Sequence, residues 1–398
     1  MRIIHTADWH LGQFFYNKSR APEHQAFLDW LLARTEEHKV DALIVAGDLF
    51  DTGTPPSYAR ELFNRFVVAL QPTGCQLVIV AGNHDSVATL NESRELLACL
   101  NTRLVTTPQA DNNVLLLNNR EGQPGALLCA IPYLRPRDVM RSQAGQSGRD
   151  KQLTLQEAIA ACYQRSVEEA RSRQLDLPVI ATGHLTTVGA SKSDSVRDIY
   201  IGTLDAFPAS AFPEVDYIAL GHIHRAQRVA GSEHIRYSGS PVPLSFDELG
   251  SEKSVFLLEL NSTGLESVTP LAVPSFQPMQ TLKGSLAQIE TQLASFAGHD
   301  GDRPVWLDIE VTTQEFLSDL QRRIEALTAG LPVEVLLLRR SREQRQHHLA
   351  QLKNETLNEL KVEEVFERRL ALAEFDTQQN ARLSALFRAT LAEMEEDQ

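Results

Sequence analysis

The sequence predicts an α/β fold, because short apolar segments alternate with amphipathic helical segments along the first part of the chain. This alternation, at these lengths, is the pattern of βαβ units. Several of the apolar segments end in polar residues, and open α/β sheets bind ligands at the carboxyl ends of their strands. At 398 residues, 42% of them apolar and 23% charged, the chain is long enough for two or three ordinary globular domains.

Strands and helices are predicted in a regular order. Strands are expected at residues 2–7, 42–46, 77–81, 179–182 and 217–220, and helices at residues 26–38, 57–70 and 153–173. The first two helices carry apolar residues at i, i+3 and i+4 spacing. Residues 114–117 and 127–131 are predicted to form a hairpin, since Gly122, Pro124 and Gly125 lie between them. The run from 235 to 260 is expected to contain three short strands.

A domain boundary is predicted near residues 274–284, where Pro274, Pro278 and Gly284 cluster. Beyond it, helices at 285–296 and 315–327 alternate with strands at 305–311 and 333–338, which predicts a small two-layer α/β module. From about residue 343 the sequence becomes charge-dense and helical, with an apolar stripe that includes Leu383 and Leu391. The predicted domains are therefore residues 1–275, 279–340 and 345–398. The last is a helix–loop–helix that packs either on its own chain or in the groove of a partner.

The overall charge narrows the possible functions. A formal net charge of −14 argues against a protein that wraps nucleic acid through its own field, since phosphate binding is mostly electrostatic. It leaves open a local phosphate site that holds divalent cations, because these reverse the local sign of the charge. The four cysteines are far apart, so neither a disulfide scaffold nor a zinc ribbon is expected. No apolar run reaches the ~20 residues of a membrane span, and a cytoplasmic protein without a signal peptide is expected.

Polar residues follow five of the predicted strands. They are Asp8 and His10; Asp48 and Asp51; Asn83, His84 and Asp85; His184; and His222 and His224. Because the ends of neighbouring parallel strands share one edge of a sheet, we expect these side chains to meet. Carboxylates, imidazoles and one amide suit Mn²⁺, Fe or Zn²⁺ better than Mg²⁺ alone. There are more ligands than one ion uses, which favours two ions about 3.5–4 Å apart that activate a water for attack at phosphorus.

Such a reaction also needs a proton donor beside the leaving oxygen. His84 follows the metal-type residue Asn83, and we expect it to be that donor, with Asp85 orienting its ring. Each motif alone could be an ordinary turn, where Asp and Gly are common. Five motifs at five strand ends argue against chance. His5 is expected in the core, whereas the remaining histidines are expected to be solvated: His24, His38, His234, His299, His347 and His348.

The ordered motifs of residues 8–10, 47–51, 82–85, 183–184 and 221–224 resemble the calcineurin-like metallophosphoesterase superfamily over roughly residues 1–270. The resemblance implies a β-sandwich flanked by helices, with ions at the strand tips. It implies the following site residues: Asp8, His10 and His224 for one ion, Asn83, His184 and His222 for the other, Asp48 bridging them, and His84 as the acid with Asp85 behind it. Thr52 after Asp51, and Asp85 in place of Glu, depart from the protein phosphatase pattern and count against that activity.

A narrower resemblance lies in residues 6–12, 183–190 and 237–241, which look like the bacterial SbcD family of nuclease subunits. It implies a Mn²⁺-dependent DNA nuclease with double-strand exonuclease and hairpin or single-strand endonuclease activity on DNA ends and hairpins. Residues 279–340 would then be a capping domain that helps to place DNA. The terminal helices would dock on an SbcC-type coiled-coil ATPase, and the chain would form a homodimer within a heterotetramer.

Two other functions stay open at this point. A small-molecule phosphodiesterase or nucleotidase of the same superfamily would share every ligand, although it would not require the extra module and the helical tail. A catalytically silent scaffold for an ATPase is disfavoured because the full ligand set is present. Basic residues such as Lys192, Arg197 and the Arg339-Arg340-Ser341-Arg342 cluster either contact phosphates or are ordinary solvated charges.

Overall fold

The structure is a computed structural model that describes residues 1–108, 113–139, 148–197, 206–312, 319–340, 382–384 and 386–387. The helix–loop–helix predicted for residues 345–398 lies outside the described residues, except for 382–384 and 386–387, which are helical. Within the described part of the chain, no helix has both the length and the apolar character needed to cross a membrane.

The strands, in chain order, are β1 Arg2–Thr6, β2 Phe14–Phe15, β3 Lys18–Ser19, β4 Ala42–Ala46, β5 Gln76–Val80, β6 Thr102–Val105, β7 Val114–Asn118, β8 Pro124–Cys129, β9 Val179–His184, β10 Tyr217–Gly221, β11 Gln227–Arg228, β12 Ile235–Tyr237, β13 Ser254–Asn261, β14 Gly264–Ala272, β15 Met279–Gly284, β16 Val305–Val311 and β17 Val333–Arg340. The α-helices are α1 Ala21–Glu37, α2 Ser57–Leu70, α3 Val87–Asn91, α4 Arg94–Cys99, α5 Pro136–Val139, α6 Gly148–Ser172, α7 Leu286–Ala294 and α8 Leu320–Thr328.

Two six-stranded sheets form the larger part of the molecule. One has the order β14-β13-β1-β4-β5-β6 and the other the order β11-β12-β10-β9-β8-β7. Their inner faces pack on each other, for example Ile44 and Val78 of the first sheet with Ile180 and Ala219 of the second. This confirms the predicted α/β fold and the β-sandwich that the resemblance implied.

Helices cover the outer faces of both sheets, which explains why the central strands are apolar throughout. In β4, Ile44 faces the second sheet, whereas Leu43 and Val45 lie in the cluster formed with α1 and α2. Helix α6 covers the second sheet in the same way, through residues such as Ile159. A strand that is buried on both faces has no solvent side, so its sequence shows no polar alternation.

The strand directions bring the polar segments together. In the first sheet, β1, β4, β5 and β6 are parallel neighbours, and in the second sheet β8, β9, β10 and β12 are parallel neighbours. The carboxyl ends of β1, β4 and β5 therefore share one edge, and those of β9 and β10 share another. The two edges meet where Nδ1 of His184 lies 3.0 Å from the carbonyl oxygen of Ala46.

A third sheet, β15-β16-β17, is parallel throughout and packs against α7 and α8. It contacts the hairpin formed by β2 and β3: the ring of Phe15 stacks on Trp306 with centroids 5.7 Å apart, and Lys18 pairs with Glu334 at 2.9 Å. The small module is thereby connected to the loop that directly follows His10.

Three predictions about secondary structure were wrong. Residues 235–260 contain β12 and most of β13 but no third strand, because the intervening residues form turns around a short 3₁₀ helix at Phe246–Glu248. Strand β15 was missed, since Gln280 and Lys283 leave it without a clear apolar pattern. Helix α1 begins at Ala21, before the predicted residue 26.

Candidate metal centre

The polar residues at the strand tips have unusual backbone conformations. Asp8, His10, Asp48 and His222 have φ values of 54°, 45°, 50° and 92°, in the region that side-chain-bearing residues seldom adopt. Backbone bonds between neighbouring tips hold them there, including Asp8 N to the Gly47 oxygen at 3.0 Å and His10 N to the Asp48 oxygen at 3.1 Å. Residues in such conformations cluster at functional sites, where the surrounding fold maintains them.

Two glycines allow the tips to approach each other this closely. A Cβ at Gly82 would lie 2.1 Å from Oδ1 of Asp48, and one at Gly221 would lie 1.9 Å from the Ala46 oxygen. Since neither position has room for a methyl group, both glycines are needed for the two sheet edges to meet.

The structure brings the predicted residues into overlapping groups whose ligand atoms lie within 4.8 Å of one another. These groups are Asp8, His10 and His224; Asp48, His184 and His222; and His10, Asp48 and His84. The first two correspond to the two ion sites that the resemblance implied. Asn83 joins the second group, because its Oδ1 lies 2.9 Å from His184 Nε2 and 3.1 Å from His222 Nδ1.

The donor set fits divalent cations. His10 Nε2, Asp48 Oδ2 and His222 Nε2 are buried and have no hydrogen-bond partner among the described residues. Buried polar atoms are normally bonded, so three unpartnered atoms in one cluster call for an additional ligand. The Oδ2 atom of Asp48 lies 3.2 Å from His184 Nε2 and 3.6 Å from His10 Nε2, at the point where the groups overlap. An ion there would satisfy atoms that the protein leaves unpaired.

The electrostatics of the cluster also favour cations. Burial opposes protonation of His184, but the charges of Asp48 and Asp8 outweigh it and raise its pKa to about 9. Burial likewise opposes ionisation of Asp48, yet the neighbouring His184 and His10 hold the pKa of that carboxyl well below its ordinary value. The potential that retains a proton on an imidazole also attracts a metal ion, which displaces that proton when it binds.

His84 lies at the edge of this cluster. Its Nδ1 is 2.7 Å from the backbone oxygen of Asp51, and its backbone N–H donates to Asp48 Oδ1 at 2.9 Å. A carbonyl only accepts, so Nδ1 carries the hydrogen of this bond and Nε2 is left for other partners. Burial lowers the pKa of His84, and the charge of Asp48 opposes that effect.

The prediction that Asp85 orients the ring of His84 was wrong. Its buried carboxylate accepts backbone N–H groups instead, from Gly82 at 2.9 Å, Phe50 at 3.0 Å and Leu49 at 3.1 Å. Asp85 therefore ties the loop after β5 to the loop after β4. Burial and the charge of Asp48 raise its pKa to about 6, against the lowering effect of the three amides.

Several supporting residues were not found from the sequence. The carboxylate of Asp51 lies 3.1 Å from Nδ1 of His10, and the hydroxyl of Ser195 lies 2.6 Å from Nδ1 of His224. Behind Ser195 lies Glu248, paired with Lys253 at 2.5 Å. Asp51 belonged to a recognised motif, whereas Ser195, Glu248 and Lys253 have no spacing that links them to a histidine.

The histidines outside the site were predicted with one error. His5 is buried in the core, as expected, and bonds Tyr217 and the Leu220 oxygen. His24 was expected to be solvated but is fully buried in α1. His234 is exposed, as predicted, and His347 and His348 lie outside the described residues.

A two-sheet sandwich whose strand tips converge on carboxylates and imidazoles is the architecture of a metal-dependent phosphoesterase. Residues 1–226 match the family described as calcineurin-like phosphoesterase, and residues 275–374 match the one described as type 5 capsule protein repressor C-terminal domain. The chain is 63% identical over 393 residues to SbcD, one of the two proteins of the SbcCD nuclease, from Escherichia coli K12, and the match covers 98% of both chains.

More distant relatives carry the same description. The SbcD protein of Rhodobacter capsulatus is 36% identical over 287 residues, covering 69% of this chain and 70% of its own. That of Bacillus subtilis is 30% identical over 322 residues, covering 80% of this chain and 81% of its own. The chain belongs to the calcineurin-like phosphoesterases and, within them, to the SbcD family of nuclease subunits.

Proposed function

We propose that this chain is the metal-dependent nuclease subunit of an ATPase-coupled complex that processes DNA ends, with double-strand exonuclease and hairpin or single-strand endonuclease activity. The observation that carries the proposal is the convergence of two sheet edges on one carboxylate and imidazole cluster with unpartnered buried atoms. Family membership supports it, since the relatives are described as nuclease subunits.

Two divalent cations fit the cluster, and we propose Mn²⁺ as the physiological ion. Asp8, His10 and His224 would hold one, Asn83, His184 and His222 the other, and Asp48 would contact both. Such a pair supplies an activated water and positive charge for an in-line displacement at phosphorus.

His84 is the proposed proton donor to the leaving oxygen. Its Nδ1 bond to the Asp51 carbonyl fixes the plane of the ring and leaves Nε2 as the atom that carries the proton to the substrate. A general acid placed in this way contributes about 10²- to 10⁴-fold to the rate.

Phosphate contacts near the site are proposed for Lys192 and Arg197. Arg197 is close enough to influence the pKa of Asp51 and of His84, and Lys192 that of His222. Arg339, in contrast, is paired with Asp308 at 2.5 Å, so part of its charge is already compensated.

The outer parts of the chain complete the proposal. Residues 279–340 would act as a capping domain over bound DNA, which is supported by their contact with the hairpin next to His10. The helices predicted at 345–398 would dock on a coiled-coil ATPase, and the complex would contain two copies of each subunit. The partner would also supply phosphate contacts that a chain of net charge −14 lacks.

The test is cleavage by the full-length chain, alone and with its ATPase partner, in Mn²⁺. The substrates are labelled hairpin DNA, linear duplex, a cyclic nucleotide and an aryl phosphodiester, each also given to the variant His84→Gln. We expect DNA cleavage that falls about 10²- to 10⁴-fold in the variant, because it lacks the acid, while Mn²⁺ binding measured by calorimetry persists. Efficient turnover of the small esters alone would overturn the nuclease proposal in favour of a small-molecule phosphodiesterase.

A further inference from the structure

Ser195 and Glu248 form a chain of hydrogen bonds that starts at the imidazole of His224. Nδ1 of His224 lies 2.6 Å from the hydroxyl oxygen of Ser195, and this oxygen lies 2.5 Å from Oε1 of Glu248. The three residues are distant in the sequence, and the turn that carries Glu248 meets the loop that carries Ser195 only through folding. Glu248 is fully buried, so this carboxylate serves the interior of the protein and not its surface.

The partners of Glu248 determine where the protons lie. Oε1 accepts the hydroxyls of Ser193 at 2.8 Å and Ser195, and Oε2 accepts the ammonium of Lys253 at 2.5 Å and the N–H of Leu244 at 3.0 Å. An ionised carboxylate only accepts hydrogen bonds, so the single hydroxyl proton of Ser195 points to Glu248. The oxygen of Ser195 must then accept, which requires a hydrogen on Nδ1 of His224. That tautomer leaves the lone pair on Nε2.

Lys253 connects the same network to the backbone of the histidine. Its ammonium donates to the carbonyl oxygen of His224 at 3.0 Å and to the hydroxyl of Ser240 at 2.8 Å. Both the main chain and the ring of His224 are therefore held by one buried ion pair.

The loop that carries Ser195 is itself held against this network. The N–H of Asp194 donates to the carboxylate of Asp247 at 3.1 and 3.2 Å, and Ser191 and Gln227 exchange bonds of 2.8 and 2.9 Å. The loop at residues 191–195 thus has several contacts that place its serine behind the histidine.

We propose that Glu248, acting through Ser195, is a positioning residue that selects the tautomer and the ring orientation of His224, so that the ion site of Asp8, His10 and His224 is complete only when the loop at residues 191–195 is docked on the turn at residues 245–248. The inference rests on the metal centre of the proposed function. Carboxylates that orient a metal-binding histidine are worth about 10- to 100-fold in metal affinity.

Ser195→Ala is the variant that tests this, because it removes the bond to His224 and leaves the buried pair of Glu248 and Lys253 intact. Mn²⁺ binding to the full-length chain is measured by calorimetry and by electron paramagnetic resonance. We expect two ions in the wild-type chain and about 10- to 100-fold weaker binding of one of them in the variant. The other ion should bind with unchanged affinity.

A second measurement is independent of metal and of activity. In the metal-free protein, the ¹⁵N signals of the His224 ring, assigned by their loss in His224→Gln, should report hydrogen on Nδ1. Ser195→Ala should give a mixture of tautomers, and Ser195→Thr, which retains the hydroxyl, should restore both the signal and the affinity. The double variant Glu248→Gln/Lys253→Met, which removes the relay without leaving a buried unpaired charge, should reproduce the effect of Ser195→Ala.

Ser232→Ala is the matched control, since Ser232 also bonds a histidine at Nδ1, that of the exposed His234 at 2.9 Å, away from the cluster. It should change neither the affinity nor the His224 signals. Unchanged binding and an unchanged tautomer in Ser195→Ala would overturn the inference while leaving the proposed function intact. Equal weakening of both ions would also overturn it, because that indicates general loss of structure. A wild-type chain that binds no Mn²⁺ would overturn the proposed function as well.

Discussion

Two pairs of histidines in the metal centre are oriented by different parts of the chain. His84 and His184 each place Nδ1 against a backbone carbonyl, that of Asp51 at 2.7 Å and that of Ala46 at 3.0 Å. These acceptors follow from the path of the main chain after β4. No single side-chain substitution removes them.

The other pair relies on side chains. His10 is held by the carboxylate of Asp51 at 3.1 Å, and His224 by the hydroxyl of Ser195 at 2.6 Å. These acceptors can be deleted without altering the fold. The difference implies that the ion site of His10 and His224 can be weakened in steps, whereas the geometry of His84 and His184 changes only when the loops themselves move.

Asp51 separates the two modes of support within one residue, because its side chain holds His10 and its backbone holds His84. Asp51→Ala should weaken one Mn²⁺ about 10- to 100-fold, as expected when the group that orients a ligand is lost. Asp51→Asn should have a smaller effect, since its amide oxygen still accepts from Nδ1. Calorimetric titration with Mn²⁺ measures both affinities.

The same variants also test the backbone half of the comparison. With Mn²⁺ at saturation, Asp51→Ala should retain most of the cleavage rate, because His84 still bonds the carbonyl of residue 51. A rate as low as that of His84→Gln, at full metal occupancy, would show that the side chain of Asp51 governs the acid and that the division between the two pairs is wrong.

Asp85 tests how the backbone acceptors are kept in place. Its carboxylate binds N–H groups of Gly82, Leu49 and Phe50, in the loops that lead to Asp51 and His84. Asp85→Asn has one oxygen for three donors, so at least one buried N–H loses its partner. We expect a loss of about 1–3 kcal/mol in the free energy of unfolding, measured by urea denaturation.

The control for Asp85 is Asp138→Asn, a partly exposed carboxylate whose closest basic contacts are 3.8 and 3.9 Å away. Such pairs contribute about 0–1 kcal/mol. Equal stability of Asp85→Asn and the wild-type chain would mean that the two loops keep their positions without this carboxylate.

The part of the site that could be predicted from sequence is the part contained in strand tips. Asp48 directly follows β4, an apolar strand predicted at its observed bounds, so its position at the sheet edge followed from local pattern alone. The bond from Ser195 to Glu248 joins residues 53 apart, in loops whose relative placement depends on the whole sandwich. Hydroxyl and carboxyl residues are common in loops, so nothing in their spacing distinguishes these two.

The error at His24 had a signal that was overlooked. Phe27 and Leu28 follow it at i+3 and i+4, so His24 lies on the apolar face of α1 with both of them. Strand β15 had no comparable signal, because it lies at the edge of its sheet and its residues are mostly half-buried or exposed. The predicted helices at 345–398 remain a prediction outside the described residues.

His24 supplies the smallest expected effect and extends the comparison to an imidazole without support. It is fully buried, and neither ring nitrogen has a hydrogen-bond partner among the described residues. Burial, reinforced by the charge of Arg20, lowers its pKa from 6.5 to about 3. The unfolded chain therefore takes up a proton below pH 6.5 that the folded chain refuses until about pH 3, and stability is lost progressively as the pH falls through this range.

His24→Leu removes that proton uptake while keeping a similar volume. Its free energy of unfolding should be close to that of the wild-type chain at pH 8, and should fall less steeply below pH 6, by up to about 1.4 kcal/mol per pH unit. Urea denaturation of the metal-free proteins between pH 4.5 and 8 measures this, with the exposed His234→Gln as the control that should follow the wild type. Parallel curves for His24→Leu and the wild type would show that His24 finds a partner when protonated, as the histidines of the metal centre do.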